Sequence, residues 1–140
     1  MASLAAPHSA HAHPIHGVLS AFPLAFFVGA LVTDVIYANT ADMQWANFSV
    51  WLITFGLFMG VLAAVAGVVD AIAFSRQRRR RPFWHSLGAG AMMALALVNA
   101  FVHSRDAWTS VVPTGLALSA IVAVLAVATS WQGFVMQEAR

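Results

Sequence analysis

Four long apolar runs separated by short polar segments set the pattern of the chain, at about residues 18–37, 48–72, 83–103 and 111–131. Twenty residues of helix rising about 1.5 Å each match a hydrocarbon core about 30 Å thick, so each run is predicted to be a membrane-spanning helix. Pro23 removes one backbone hydrogen bond from the first span and predicts a kink near its start. Trp45 and Trp51 stand where interfacial anchors are expected, and Gly56, Gly60, Ala63 and Gly67 allow close helix contact in the second span. The predicted fold is all-α, a four-helix transmembrane bundle with short connections. Residues 1–15 read as a flexible histidine-containing N-terminus, 16–135 as the four-span domain and 136–140 as a C-terminal tail.

Composition strengthens the membrane assignment: 61% of residues are hydrophobic and 9% charged, with a mean hydropathy of +0.79. Soluble domains carry about a quarter charged residues. Charge then gives direction. Five of the seven basic residues, Arg76, Arg78, Arg79, Arg80 and Arg81, stand between the second and third runs. Short loops rich in arginine stay cytoplasmic, which predicts both termini in the cytoplasm and a multi-pass membrane protein. The same loop attracts anionic lipid headgroups, and with no soluble domain to carry it, nucleic acid is not an expected partner. No export signal is expected, because the N-terminal segment has no basic stretch ahead of an apolar one. The absence of cysteine excludes disulfides, thiolate metal sites and a thiol nucleophile, so a metal must be held by His, Asp, Glu or Met.

The informative residues are the polar ones that hydrocarbon should exclude. At about 100° per residue, His85, Met92, Asn99 and His103 share one face of the third helix, and His16 and Asp34, eighteen residues apart, share a face of the first. Such groups face the bundle interior. Depth sorts them into two clusters about 25 Å apart by helical rise. His13, His16, Asp70 and His85 belong at the inner boundary, where histidines from two helices at one level suit a b-type haem iron. His16 and His85 are the expected ligands, His13 the alternative, and Asp70 a carboxylate that would fix an imidazole tautomer. Asp34, His103 and Asn99 form an expected outer site that binds or deprotonates a quinol hydroxyl or relays a proton.

Plainer roles stand beside these. Histidines at helix ends hydrogen-bond termini or sit among headgroups, Asp70 pairs with a loop arginine such as Arg76, Asp34 caps the outer loop, and Met92 and Met93 pack rather than ligate. His8 and His11 read as a solvated terminus.

His13-Pro14-Ile15-His16, Phe22-Pro23, Asp34 late in span one, Gly67-Val68-Val69-Asp70 closing span two and His85 opening span three resemble, in order and spacing, a bacterial membrane-protein family catalogued as domain of unknown function 2231. The resemblance covers about residues 13 to 133. It implies a small four-span bundle, and members of the family resemble components found beside periplasmic quinoprotein sugar dehydrogenases or Rieske-type proteins. This chain departs from the family pattern at Gly17, where proline is usual after the second histidine. It also departs after span four, where Trp131-Gln132-Gly133-Phe134-Val135 replaces a Gly-rich segment and a Leu-Val-Tyr motif. His103 is not matched to the pattern, so the outer site rests on helical spacing alone.

The leading expectation is a small electron-transfer subunit that binds haem b between His16 and His85 and exchanges electrons with quinone. It would work within a larger respiratory dehydrogenase or oxidase, docked to a membrane or periplasmic redox partner. The chain has no nucleophile-base pair and no phosphate loop, so catalysis by the chain alone is not expected. One alternative is a structural or assembly subunit whose polar residues specify packing. Another is a small ion or proton conductor, for which a homo-oligomer would add a pathway that one chain lacks.

Overall fold

A computed structural model describes residues 14–73, 83–105 and 107–138. The arginines at 76–81 and the histidines at 8, 11 and 13 lie outside the described residues. Four α-helices follow one another: α1 Pro14–Thr40, α2 Met43–Ala73, α3 Phe83–His103 and α4 Thr114–Glu138, with a short 3-10 helix, Ala107–Ser110, before the last. All four are long and apolar enough to cross a membrane. The protein is a four-helix transmembrane bundle.

Local chemistry explains where these helices stop. α1 opens on Pro14, whose missing N–H and fixed φ suit a first helical position, and the helix is continuous through Pro23. It ends where Ala41 takes a left-handed conformation, φ 55°, and its N–H bonds the Tyr37 carbonyl at 2.8 Å. That is an αL cap built without glycine. Asp42 then caps α2, its Oδ1 accepting the Gln44 N–H at 2.9 Å. α1 and α2 run past the apolar runs at both ends, because a cap rather than the edge of the hydrocarbon terminates a helix. The last run begins at Val111, but α4 begins only at Thr114. Val111 and Val112 bond back to the Trp108 carbonyl in a tight turn, which hydropathy alone does not reveal.

α1 packs against α2 and α4, and α3 packs against α4 and α2. The helices therefore stand at the corners of a square in chain order. α1 and α3 occupy one diagonal and run parallel, since consecutive helices reverse direction. Large apolar side chains such as Phe58, Val65, Phe101, Val124 and Trp131 point outward from all four helices and stay exposed, as a lipid-facing surface requires. Inside, Phe27, Met92, Ala96, Val122 and Ala126 form an apolar middle layer. A second apolar layer of Tyr37, Ala46 and Val111 closes the end of the bundle where α1 finishes, and the Trp108 ring lies tilted against Tyr37 with centroids 5.5 Å apart.

The diagonal register is constant. Phe27 and Ala96, which share the middle layer, are 69 residues apart, and so are Asp34 and His103, which touch. Met93 and Pro23 both lie against Gly60 of α2, at nearly the same offset.

Candidate functional site

Between the two apolar layers the bundle carries a compact polar cluster. Asp34 on α1 and His103 on α3 meet across the diagonal, His103 Nε2 lying 3.0 Å from Asp34 Oδ1, and both side chains are fully buried. On α4, Ser119 donates its hydroxyl hydrogen to Asp34 Oδ2. Asn99, one turn before His103 on α3, donates from Nδ2 to Ser119 Oγ at 2.8 Å. The Asn99 backbone carbonyl lies 3.0 Å from His103 Nδ1. Three helices are thus joined through four side chains.

These contacts fix the hydrogens. A carbonyl oxygen only accepts, so His103 Nδ1 must carry a hydrogen for the contact with Asn99. Ser119 has one hydroxyl hydrogen and gives it to Asp34, so the amide group of Asn99 facing Ser119 must be its NH2. What remains is the contact between His103 Nε2 and Asp34 Oδ1, and it requires one shared proton. The pair is either imidazolium with carboxylate or imidazole with carboxylic acid. Without that proton two acceptors would face each other inside the bundle.

Gly115 on α4 makes room for the imidazole. A Cβ there would stand 2.8 Å from His103 Cε1 and 2.7 Å from the Ser110 carbonyl oxygen. A smaller polar contact lies beside the cluster, where Thr33 and Ser49 hydroxyls meet at 2.7 Å between α1 and α2 and both approach the Ala30 carbonyl. The expected outer residues Asp34, His103 and Asn99 therefore come together. Ser119 was not singled out from the sequence, because a lone serine in an apolar helix gives no periodic signal. Its only hint was the small residue one turn earlier, Gly115.

The other expected cluster is arranged differently. His16 is half-buried near the start of α1, and its Nδ1 lies 2.8 Å from the Ala63 carbonyl of α2. That carbonyl accepts, so Nδ1 carries the hydrogen. Asp70 is buried on α2, seven residues beyond Ala63. His85, half-buried at the start of α3, faces Gly133 of α4, where a Cβ would stand 3.8 Å from its Cε1. His85 follows His16 by the same 69 residues that separate Asp34 from His103. His13 lies outside the described residues, and among the described residues no three His, Asp or Glu side chains converge on one point.

A family model described as predicted membrane protein (DUF2231) matches residues 12–138. The chain belongs to this family. No curated protein and no solved structure matches it. The matched stretch of this DUF2231 protein contains all four helices, and the Asp34–His103 and His16–Ala63 contacts lie within it.

Proposed function

We propose that this DUF2231 protein is a small electron-transfer subunit of the bacterial cytoplasmic membrane that binds a b-type haem between His16 and His85. The single observation that carries the reading is His16. Its Nδ1–H is tied to the Ala63 carbonyl, which orients the ring as the backbone contacts of metal-ligating histidines do. Register adds support. His16 and His85 stand on the parallel diagonal helices at the offset at which Asp34 and His103 meet, and each lies eighteen residues, five turns, before its partner on the same helix. By this register both histidines would stand at one level of the bundle, with the His16 ring turned to α2 and the His85 ring to α4.

His16 and His85 would hold the iron, with His13 as the alternative ligand and Asp70 close enough in register to orient an imidazole. The haem would supply reversible one-electron chemistry. Electrons would pass to or from a quinone, within a larger dehydrogenase or oxidase whose redox partner docks on the membrane or at its outer surface. Anionic lipid would hold the arginine side at the cytoplasm. A reduced-minus-oxidised visible spectrum of protein purified in mild detergent, with haem quantified against protein, tests this. Near-stoichiometric haem that is lost in His16→Ala and His85→Ala and kept in His8→Ala and His11→Ala is the expected result. A normal spectrum in both inner variants would remove the ligand assignment.

A second reading, a structural or assembly subunit, is favoured by one observation: the Asp34 cluster links α1, α3 and α4 and satisfies most of its own hydrogen bonds. A colourless, folded preparation that cannot be reconstituted with haem would select it. Conduction by one chain is less favoured, because the layer of Phe27, Met92, Ala96, Val122 and Ala126 separates the two polar levels.

A further inference from the structure

The Asp34 cluster contains one group that its own hydrogen bonds do not use. Asn99 is 2% exposed, and its Oδ1 finds no donor among the described residues. Buried carbonyl oxygens are nearly always hydrogen-bonded, and an exception asks for a reason. Rotating the amide does not remove the problem. It would aim Oδ1 at a Ser119 oxygen whose hydrogen is already given to Asp34, and would leave the NH2 unused instead. Because the nitrogen is turned towards Ser119 on α4, the oxygen diverges from that helix.

We propose that Asn99 Oδ1 is the acceptor for a hydroxyl-bearing ligand held beside the Asp34–His103 pair. The ligand donates one O–H to Asn99. Its oxygen then lies near the one labile proton that His103 and Asp34 share. Two sources have this chemistry, the headgroup of a hydroquinone and a resident water molecule. The hydroquinone source rests on the electron-transfer reading given above, whereas the water source does not. Five turns of helix, about 27 Å, separate this level from that of His16. The site therefore binds its ligand and positions a proton, and does not pass electrons directly to a haem at the His16 level.

The approach for a flat headgroup is from the lipid, because the layer of Tyr37, Ala46 and Val111 closes the bundle end and the middle layer closes the other side. The seam between α2 and α3 is the thinnest of the four. Next to Asn99 along α3, Val98 is 50% exposed and Phe101 68%.

Tetramethylhydroquinone and its dimethyl ether, which has the same ring without a hydroxyl hydrogen, are the probes. Quenching of tryptophan fluorescence, with Trp45 and Trp108 at this end, reports binding to the detergent-solubilised protein. A hydroquinone ligand predicts that the wild type binds the diol about tenfold more tightly than the ether, and that Asn99→Leu abolishes the difference. A water ligand predicts no such preference, but a cross-peak between the Asn99 side-chain amide and a slowly exchanging water in labelled protein. Absence of both overturns the proposal. If Asn99→Leu does not fold, Asn99→Gln, which keeps the amide and displaces its oxygen, takes its place and should weaken the diol preference or lose the water cross-peak. Haem is measured on the same samples. A colourless wild type that still discriminates the diol removes the electron-transfer reading and leaves the hydroxyl site standing, whereas haem-loaded protein showing neither ligand does the reverse.

Discussion

Replacing Asp34 discriminates between charge and hydrogen bonding as the basis of the diagonal contact. Asp34→Ala leaves His103 Nε2 and the Ser119 hydroxyl without the carboxylate that both contact. Each orphaned buried polar group costs about 1–3 kcal/mol. Hydrogen bonds between membrane helices average only about 0.6 kcal/mol, because the unfolded chain in lipid also finds partners. Weighing the two gives an expected loss of about 2–4 kcal/mol. Asp34→Asn behaves differently, since its NH2 can donate to His103 Nε2 while its oxygen still accepts from Ser119. With His103 protonated on Nδ1 alone, every bond survives and the expected loss is below about 1 kcal/mol. The double variant Asp34→Leu with His103→Leu removes both members and should recover at least about 1 kcal/mol relative to Asp34→Ala, as apolar replacement of a whole buried pair often does. Reversible unfolding in mixed micelles, followed by circular dichroism, measures all three. Equal destabilisation by Asn and Ala would refute the shared-proton assignment, and an unaffected Asp34→Ala would refute any role of the contact in holding the bundle.

Glycine substitutions should follow the space behind each one. Gly115→Ala meets the Ser110 backbone and the His103 ring, so a loss of about 1–3 kcal/mol and a disturbed Asp34 cluster are expected. Gly60→Ala meets only the flexible end of Met93 and distant Pro23, and Gly90→Ala meets nothing within 4 Å, so the first should be milder than Gly115→Ala and the second neutral or stabilising by up to about 1 kcal/mol. The same unfolding assay ranks them. Ala41→Gly should stabilise by about 1 kcal/mol by relieving the left-handed backbone at the end of α1. An unchanged midpoint would show that the αL cap carries no strain. In the haem assay, His85→Met should keep haem but alter its reduced spectrum, because a thioether can replace one imidazole on iron; an unaltered spectrum would place the iron elsewhere.

The fold was legible because bilayer thickness and apolar length are the same constraint seen from two sides. Four runs of about twenty residues left little choice, and α3 begins and ends where its run does. Helix ends were less legible, because Ala41 and the Val111 turn are set by backbone hydrogen bonds that hydropathy does not record. Of the outer residues, Asp34, Asn99 and His103 could be grouped from angular spacing and depth, since five turns return a side chain to the same face. Ser119 could not, because the register of α4 against α1 is decided by packing around small residues such as Gly115. At the other end, spacing brought out His16 and His85 as a pair, yet nothing in the sequence announced that Ala63 would take the Nδ1 hydrogen of His16.

The constant offset along the diagonal has a consequence for how this chain can vary. One residue inserted in α1 between His16 and Asp34 would turn the two ends relative to each other by about 100° and shift them by about 1.5 Å. Either the contact with His103 or the proposed alignment of His16 with His85 would then be lost. Only a matching insertion in α3 would restore both. The two helices are therefore tied as lengths as well as sequences, and between their polar ends substitutions are tolerated far more readily than insertions or deletions.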